Sequence, residues 1–132
     1  MELHLKFIGI ALACLAWVHL IFPSYFNWKE DLAPLTLVNR QLMYVHTFFI
    51  ALAVFLIGIF CFLFSYDIVN TILGHRISAG FAIFWGFRLF FQFFVYSPKL
   101  WRGKTFETFV HIVFSLFWFY LTAIFFIIST RP

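Results

Sequence analysis

Residues 42–66 read LMYVHTFFIALAVFLIGIFCFLFSY, with no charged side chain from end to end. A helix rises about 1.5 Å per residue and needs about 20 residues to cross a hydrocarbon core, so this run is long enough to span a bilayer. A surface helix of a water-soluble domain keeps a polar face, and this stretch has none. Three further apolar runs flank it, at about Leu5 to Phe22, Ile77 to Ser97 and Thr108 to Ser129, each bounded by charge or turn residues. Lipid offers no partner to a backbone N–H, so each run predicts a helix rather than an open strand. The fold class that follows is an all-α integral membrane protein, a four-transmembrane-helix antiparallel bundle. Little chain is left outside the spans, so residues 1–132 read as a single four-helix transmembrane domain with helices at about 5–22, 36–66, 75–97 and 105–129.

Composition agrees. The chain is 64% hydrophobic and 11% charged, which excludes a soluble domain, and its 25% aromatic content excludes disorder. A net charge of +4 in a soluble chain would suggest nucleic acid; here the basic residues lie between apolar runs, where they set topology, and the expected partner is the lipid bilayer with no nucleic acid. Lys29, Arg40, Lys99, Arg102 and Lys104 fall on the side of the first and third connections, against Lys6, Arg76 and Arg131 on the other. The excess places both termini of this multi-pass chain on the non-cytoplasmic side. Leu12-Ala13-Cys14 faintly resembles a lipoprotein cleavage site, but the apolar run continues past Cys14 and reads as a retained span. Cys14 and Cys61 both sit inside apolar runs, which argues against a disulfide framework.

The polar residues within the spans carry the functional signal. Placed by helical rise, His19, His46, Gln92 and His111 fall roughly 6–9 Å inside one leaflet, one from each helix. Arg88 lies one turn deeper than Gln92, Tyr96 one turn shallower, and Glu107 one turn above His111. A lone histidine in an apolar helix most often hydrogen-bonds to a neighbouring helix, whereas three at one depth suggest a shared site. An arginine within a span costs about 2.5–3.5 kcal/mol on insertion scales and requires a partner: Glu107, backbone carbonyls, an anionic ligand or a substrate oxygen. Gly58, Gly80 and Gly86 allow close helix contact or room for a flat cofactor.

Imidazoles at one depth predict a small membrane redox or metal-binding protein, with b-type haem or quinone-linked electron transfer as the leading expectation. Haem b needs two facing imidazoles, and the second and fourth helices of an up-down-up-down bundle are diagonal, so His46 and His111 form the expected axial pair. Arg40, Arg102 and Lys99 then meet the propionates, leaving His19, Arg88 and Gln92 to a quinone or other membrane-soluble substrate, or to tuning the site. This arrangement is similar, in architecture alone, to the diagonal-helix ligation of b-type membrane cytochromes. His19, His46 and His111 completed by Glu107 or Gln92 give an alternative site for a transition metal such as iron or zinc. A third expectation is a non-catalytic accessory subunit or small oligomeric channel, in a homo-oligomer or a larger membrane complex. No sequence motif identifies a catalytic residue.

Overall fold

The computed structural model describes residues 1–131, which form helices and turns and contain no strand. In chain order the helices are α1 (Glu2–Tyr25), α2 (Trp28–Asp31), α3 (Leu37–Leu63), α4 (Ser65–Asn70), α5 (Ile72–Phe94) and α6 (Thr105–Ser129), with a single 3₁₀ turn at Pro98–Leu100. Four of these, α1, α3, α5 and α6, have the length and apolar composition of membrane spans, so the chain is an integral multi-pass membrane protein. It divides into two compact helical hairpins, residues 2–65 and residues 66–131.

The first hairpin is held by a seam of small and aliphatic residues. Leu5, Ile8, Gly9, Leu12, Leu15 and Ala16 are the buried residues of α1, and Ala51, Val54, Gly58 and Cys61 those of α3. Both sets recur at three- and four-residue steps, so each forms one stripe along its helix. At the crossing the backbones touch: a Cβ on Gly9 would stand 2.6 Å from the Gly58 carbonyl oxygen, and one on Gly58 would stand 2.7 Å from that of Gly9. In lipid no hydrophobic force draws helices together, and such close approach is what lets van der Waals contact do so. Of the three glycines marked in the sequence, only Gly58 serves this purpose. Gly80 has open space around it, and Gly86 meets only Thr122 Cγ2, at 3.8 Å.

The connection between these helices is ordered by caps. Pro23 does not end α1 as its residue type suggests; near the helix end its missing N–H forfeits one bond, and Phe26 N still donates to the Phe22 carbonyl at 2.9 Å. Asn27 takes the left-handed conformation (φ 53°) and opens α2, whose Trp28 is buried edge-on against Tyr44 at 5.5 Å. Thr36 then caps α3 by accepting from Asn39 N.

In the second hairpin the stretch between the expected helices, residues 67–74, is mostly helical. Thr71 is the reason: its hydroxyl donates to the Asp67 carbonyl at 2.7 Å, closing α4, and accepts from Gly74 N at 2.9 Å, opening α5. His75 Nε2 donates to the Val69 carbonyl at 2.8 Å, and a Cβ on Gly74 would run into the carbonyls of Asp67 and Ile68. At its other end α5 stops at Phe94 rather than at residue 97. Pro98 forces Ser97 into extended backbone, and the turn that follows returns through Gly103 at φ 77°.

The glycine crossing generates a contrast. Gly9→Leu and Gly58→Leu each place a side chain where backbone already stands, and each should destabilise the protein by about 1–3 kcal/mol. Gly80→Ala meets nothing and should leave stability unchanged or slightly raised. Thermal unfolding in detergent, followed by circular dichroism, checks the difference.

Candidate functional site

The second hairpin is built as a ladder of ring and polar pairs. Phe81 meets Phe125 at 5.1 Å between ring centroids, Trp85 stacks on Trp118 at 5.3 Å and 7°, and Gln92 hydrogen-bonds to His111. Seven-residue steps (85 to 92; 111, 118, 125) keep these positions on one face of each helix. Along α5 the rungs therefore pass from apolar to polar toward the 95–104 connection.

Three groups fix the polar rung. Arg88 Nη1 donates to Gln92 Oε1 at 3.3 Å, and Gln92 Nε2 lies 2.8 Å from His111 Nδ1. A guanidinium can only donate, so it holds the amide oxygen toward itself and turns the amide N–H₂ toward the ring. His111 Nδ1 is then an acceptor, and the neutral imidazole carries its proton on Nε2. Trp101 from the connection stacks on this ring at 4.4 Å and 17°, and Phe93 meets it edge-on at 6.1 Å. Thr108 secures Trp101 by donating to its carbonyl at 2.6 Å.

Arg88 is half-buried, and its described partners are all neutral. Its Cζ lies 4.8 Å from the Trp118 ring centroid and 5.5 Å from that of Tyr96. Tyr96 reaches this position because its N–H donates to the Phe91 carbonyl at 3.2 Å, a wide last turn that swings the ring back over α5. Two aromatic faces contribute roughly 0.5–2 kcal/mol each and the bond to Gln92 about 1.5–3 kcal/mol, enough to offset the about 2.5–3.5 kcal/mol that an arginine costs at span depth. The protein thus holds the cation without neutralising it. Beside it a groove of about 250 Å³ is lined by Phe84, Phe87, Arg88, Phe91 and Tyr96. The first four stand at i, i+3, i+4 and i+7, one face of α5, and all the aromatic members are exposed.

The histidine cluster expected from depth does not form. Among the described residues no group of three or more His, Cys, Asp or Glu could hold a metal ion. This overturns the metal site of His19, His46, His111 and Glu107, the bis-histidine haem b on His46 and His111, and with them the redox and metal-binding reading. Each residue is accounted for otherwise. His19 Nδ1 donates to the Leu15 carbonyl of its own helix at 2.9 Å, with its ring against Phe22. His46 is exposed on α3 of the first hairpin, and Glu107 is exposed in the first turn of α6, where the helix dipole favours a carboxylate. His111 belongs to the second hairpin, where the Gln92 amide engages its Nδ1 at 2.8 Å and Trp101 covers its ring. Arg40 donates to the Ala33 carbonyl at 3.3 Å, bracing the connection before α3, and Arg102 is exposed in the 95–104 connection.

What the structure does bring together is Arg88, Gln92 and His111. The residues that complete their surroundings, Trp101 and the Phe84, Phe87, Phe91 face, carry different signals. The phenylalanine spacing is visible in the sequence, whereas a loop tryptophan folded onto a helix histidine has no local signature. The indole N–H groups of Trp85, Trp101 and Trp118 are buried without a hydrogen-bond acceptor. The hydroxyl of Ser78, which can donate or accept, is buried without a partner in the same hairpin. The chain matches no family model, no curated protein and no solved structure.

Proposed function

We propose that the protein binds a membrane-soluble amphiphile on the exposed phenylalanine face of α5, with the polar head on Arg88 and the apolar body along Phe84, Phe87 and Phe91. The observation that carries this reading is a cation with neutral partners at the edge of an aromatic groove. Arg88 has five N–H donors, and Gln92 takes one of them. The Arg88–Gln92–His111 chain fixes the guanidinium before a ligand arrives, which reduces the ordering cost of binding. The groove is open along the exposed phenylalanines of α5, so a ligand enters laterally from the bilayer.

For orientation, we place residues 26–36 and 95–104 on the cytoplasmic face, supported by their share of Lys and Arg.

Two measurements test these statements. A photoreactive diazirine carried on the tail of an oxygen-headed amphiphile should label the 84–96 segment of the reconstituted protein, and Arg88→Gln should reduce labelling about tenfold, the equivalent of roughly 1.4 kcal/mol. Equal labelling of the two proteins, with helicity unchanged, would remove the proposal. In a Cys14→Ala, Cys61→Ala background, Asp31→Cys and Leu100→Cys, each introduced singly at an exposed position, should react with an impermeant maleimide from the cytoplasmic side only. Reaction from the opposite side would reverse the orientation.

A further inference from the structure

Resting on the reading of Arg88 as a head anchor, we infer that the ligand is the carboxylate of a single-chain lipid acid, rather than a neutral carbonyl compound or a phospholipid. Four observations lead there.

The first is the balance of donors and acceptors. Arg88 has unused N–H groups, His111 presents Nε2–H, and three indole N–H groups nearby in the same hairpin lack acceptors. Those indoles are closed off, and Arg88 and Tyr96 are the lining residues of the groove that carry a polar group. A head that only accepts hydrogen bonds complements them, and an ionised carboxylate is such a group. The second is shape. Trp118 and Tyr96 present ring faces to the guanidinium and Gln92 takes one Nη1 proton, so what remains is part of a planar donor fork. Two parallel N–H···O bonds to a carboxylate suit that fork, and a neutral carbonyl offers one oxygen where the carboxylate offers two.

The third observation is size. About 250 Å³ lies below the range of roughly 300–1,000 Å³ typical of sites for drug-sized ligands, enough for a small head and the first carbons of a chain. A glycerophosphate head is bulkier than a carboxylate and fills more of this volume before any acyl chain begins. The open side of the groove leads a single chain out along exposed phenylalanines into lipid. The fourth is charge. Lys99, Arg102 and Lys104 are exposed in the connection that follows Tyr96, and no acidic residue lies between Ser97 and Thr105. Cations at headgroup level raise the local concentration of anionic amphiphiles, and do nothing for a neutral quinone.

The test uses the full chain in nanodiscs of zwitterionic lipid at alkaline pH, where the carboxyl group is ionised. Tryptophan fluorescence is followed on titration with oleate, methyl oleate and oleoyl lysophosphatidate, Trp118 being in contact with Arg88. Oleate should give a saturable change, with methyl oleate and lysophosphatidate each at least about tenfold weaker. Arg88→Gln should abolish the preference for oleate over its ester. Arg88→Lys, which keeps the charge and loses the fork, should retain part of it. Tyr96→Phe, which keeps the ring over Arg88 and removes the hydroxyl, should weaken oleate only a few-fold, and unchanged helicity by circular dichroism guards against misfolding of the arginine variants. Equal affinity for oleate and methyl oleate would overturn the carboxylate assignment while leaving amphiphile binding intact. Tighter lysophosphatidate would overturn it in favour of phosphate. Saturation by none of the three would overturn both this inference and the function it rests on.

Discussion

A guanidinium has five hydrogen-bond donors and no acceptor, and from that one asymmetry the polar layer of the second hairpin follows. Because Arg88 can only donate, the Gln92 amide has one stable orientation, and because the amide is fixed, so is the proton of His111. In water each of these groups would have alternatives. At span depth the alternatives are lost, and the chain of donors has a single direction from Arg88 to His111. Aromatic rings replace solvent around it: Trp118 and Tyr96 meet the cation, and Trp101 covers the imidazole. None of them cancels the charge, so the hairpin presents a stabilised but uncompensated cation beside an apolar groove.

The first hairpin is organised differently. Its seam is made of small and aliphatic residues, and its closest approach is backbone against backbone at Gly9 and Gly58. Where lipid is the solvent, removing methyl groups brings helices together more effectively than adding them. The two hairpins thus solve the same problem by different means, small residues in one and stacked rings with a hydrogen bond in the other. Only the second places chemistry at its seam.

Much of this architecture is written in the sequence, though unevenly. The four spans follow from apolar run length, because a bilayer imposes a minimum that composition alone can meet. The ends of the spans were less legible. Thr71 turns an apparent loop into two helices meeting at one residue, and Pro98 acts through Ser97 to end α5 earlier than its own position suggests. Depth arithmetic paired Gln92 with His111 at one level and set Arg88 and Tyr96 one turn to either side, and in the structure these four residues are linked. The same arithmetic also grouped His19 and His46 with them, where it had no power. Depth is one coordinate, and rotation about the helix axis is another. A helix apolar on all sides carries little rotational information, so exposed His46 and buried Gln92 look alike on paper. The tautomer of His111 lay further still beyond the sequence, since it depends on an arginine four residues before the glutamine that contacts it.

The close contacts described in each hairpin also bear on biosynthesis. The crossing of residues 9 and 58 and the rungs 81–125, 85–118 and 92–111 each join two helices that are successive spans. A nascent chain entering the bilayer can therefore satisfy the contacts of its first pair before the second pair has been synthesised, without holding an unpaired seam open in the lipid. Arg88 benefits most. It enters on α5 at its full insertion cost, and Trp118 becomes available only when α6 follows, so the interval between these two segments is the most demanding stage of assembly.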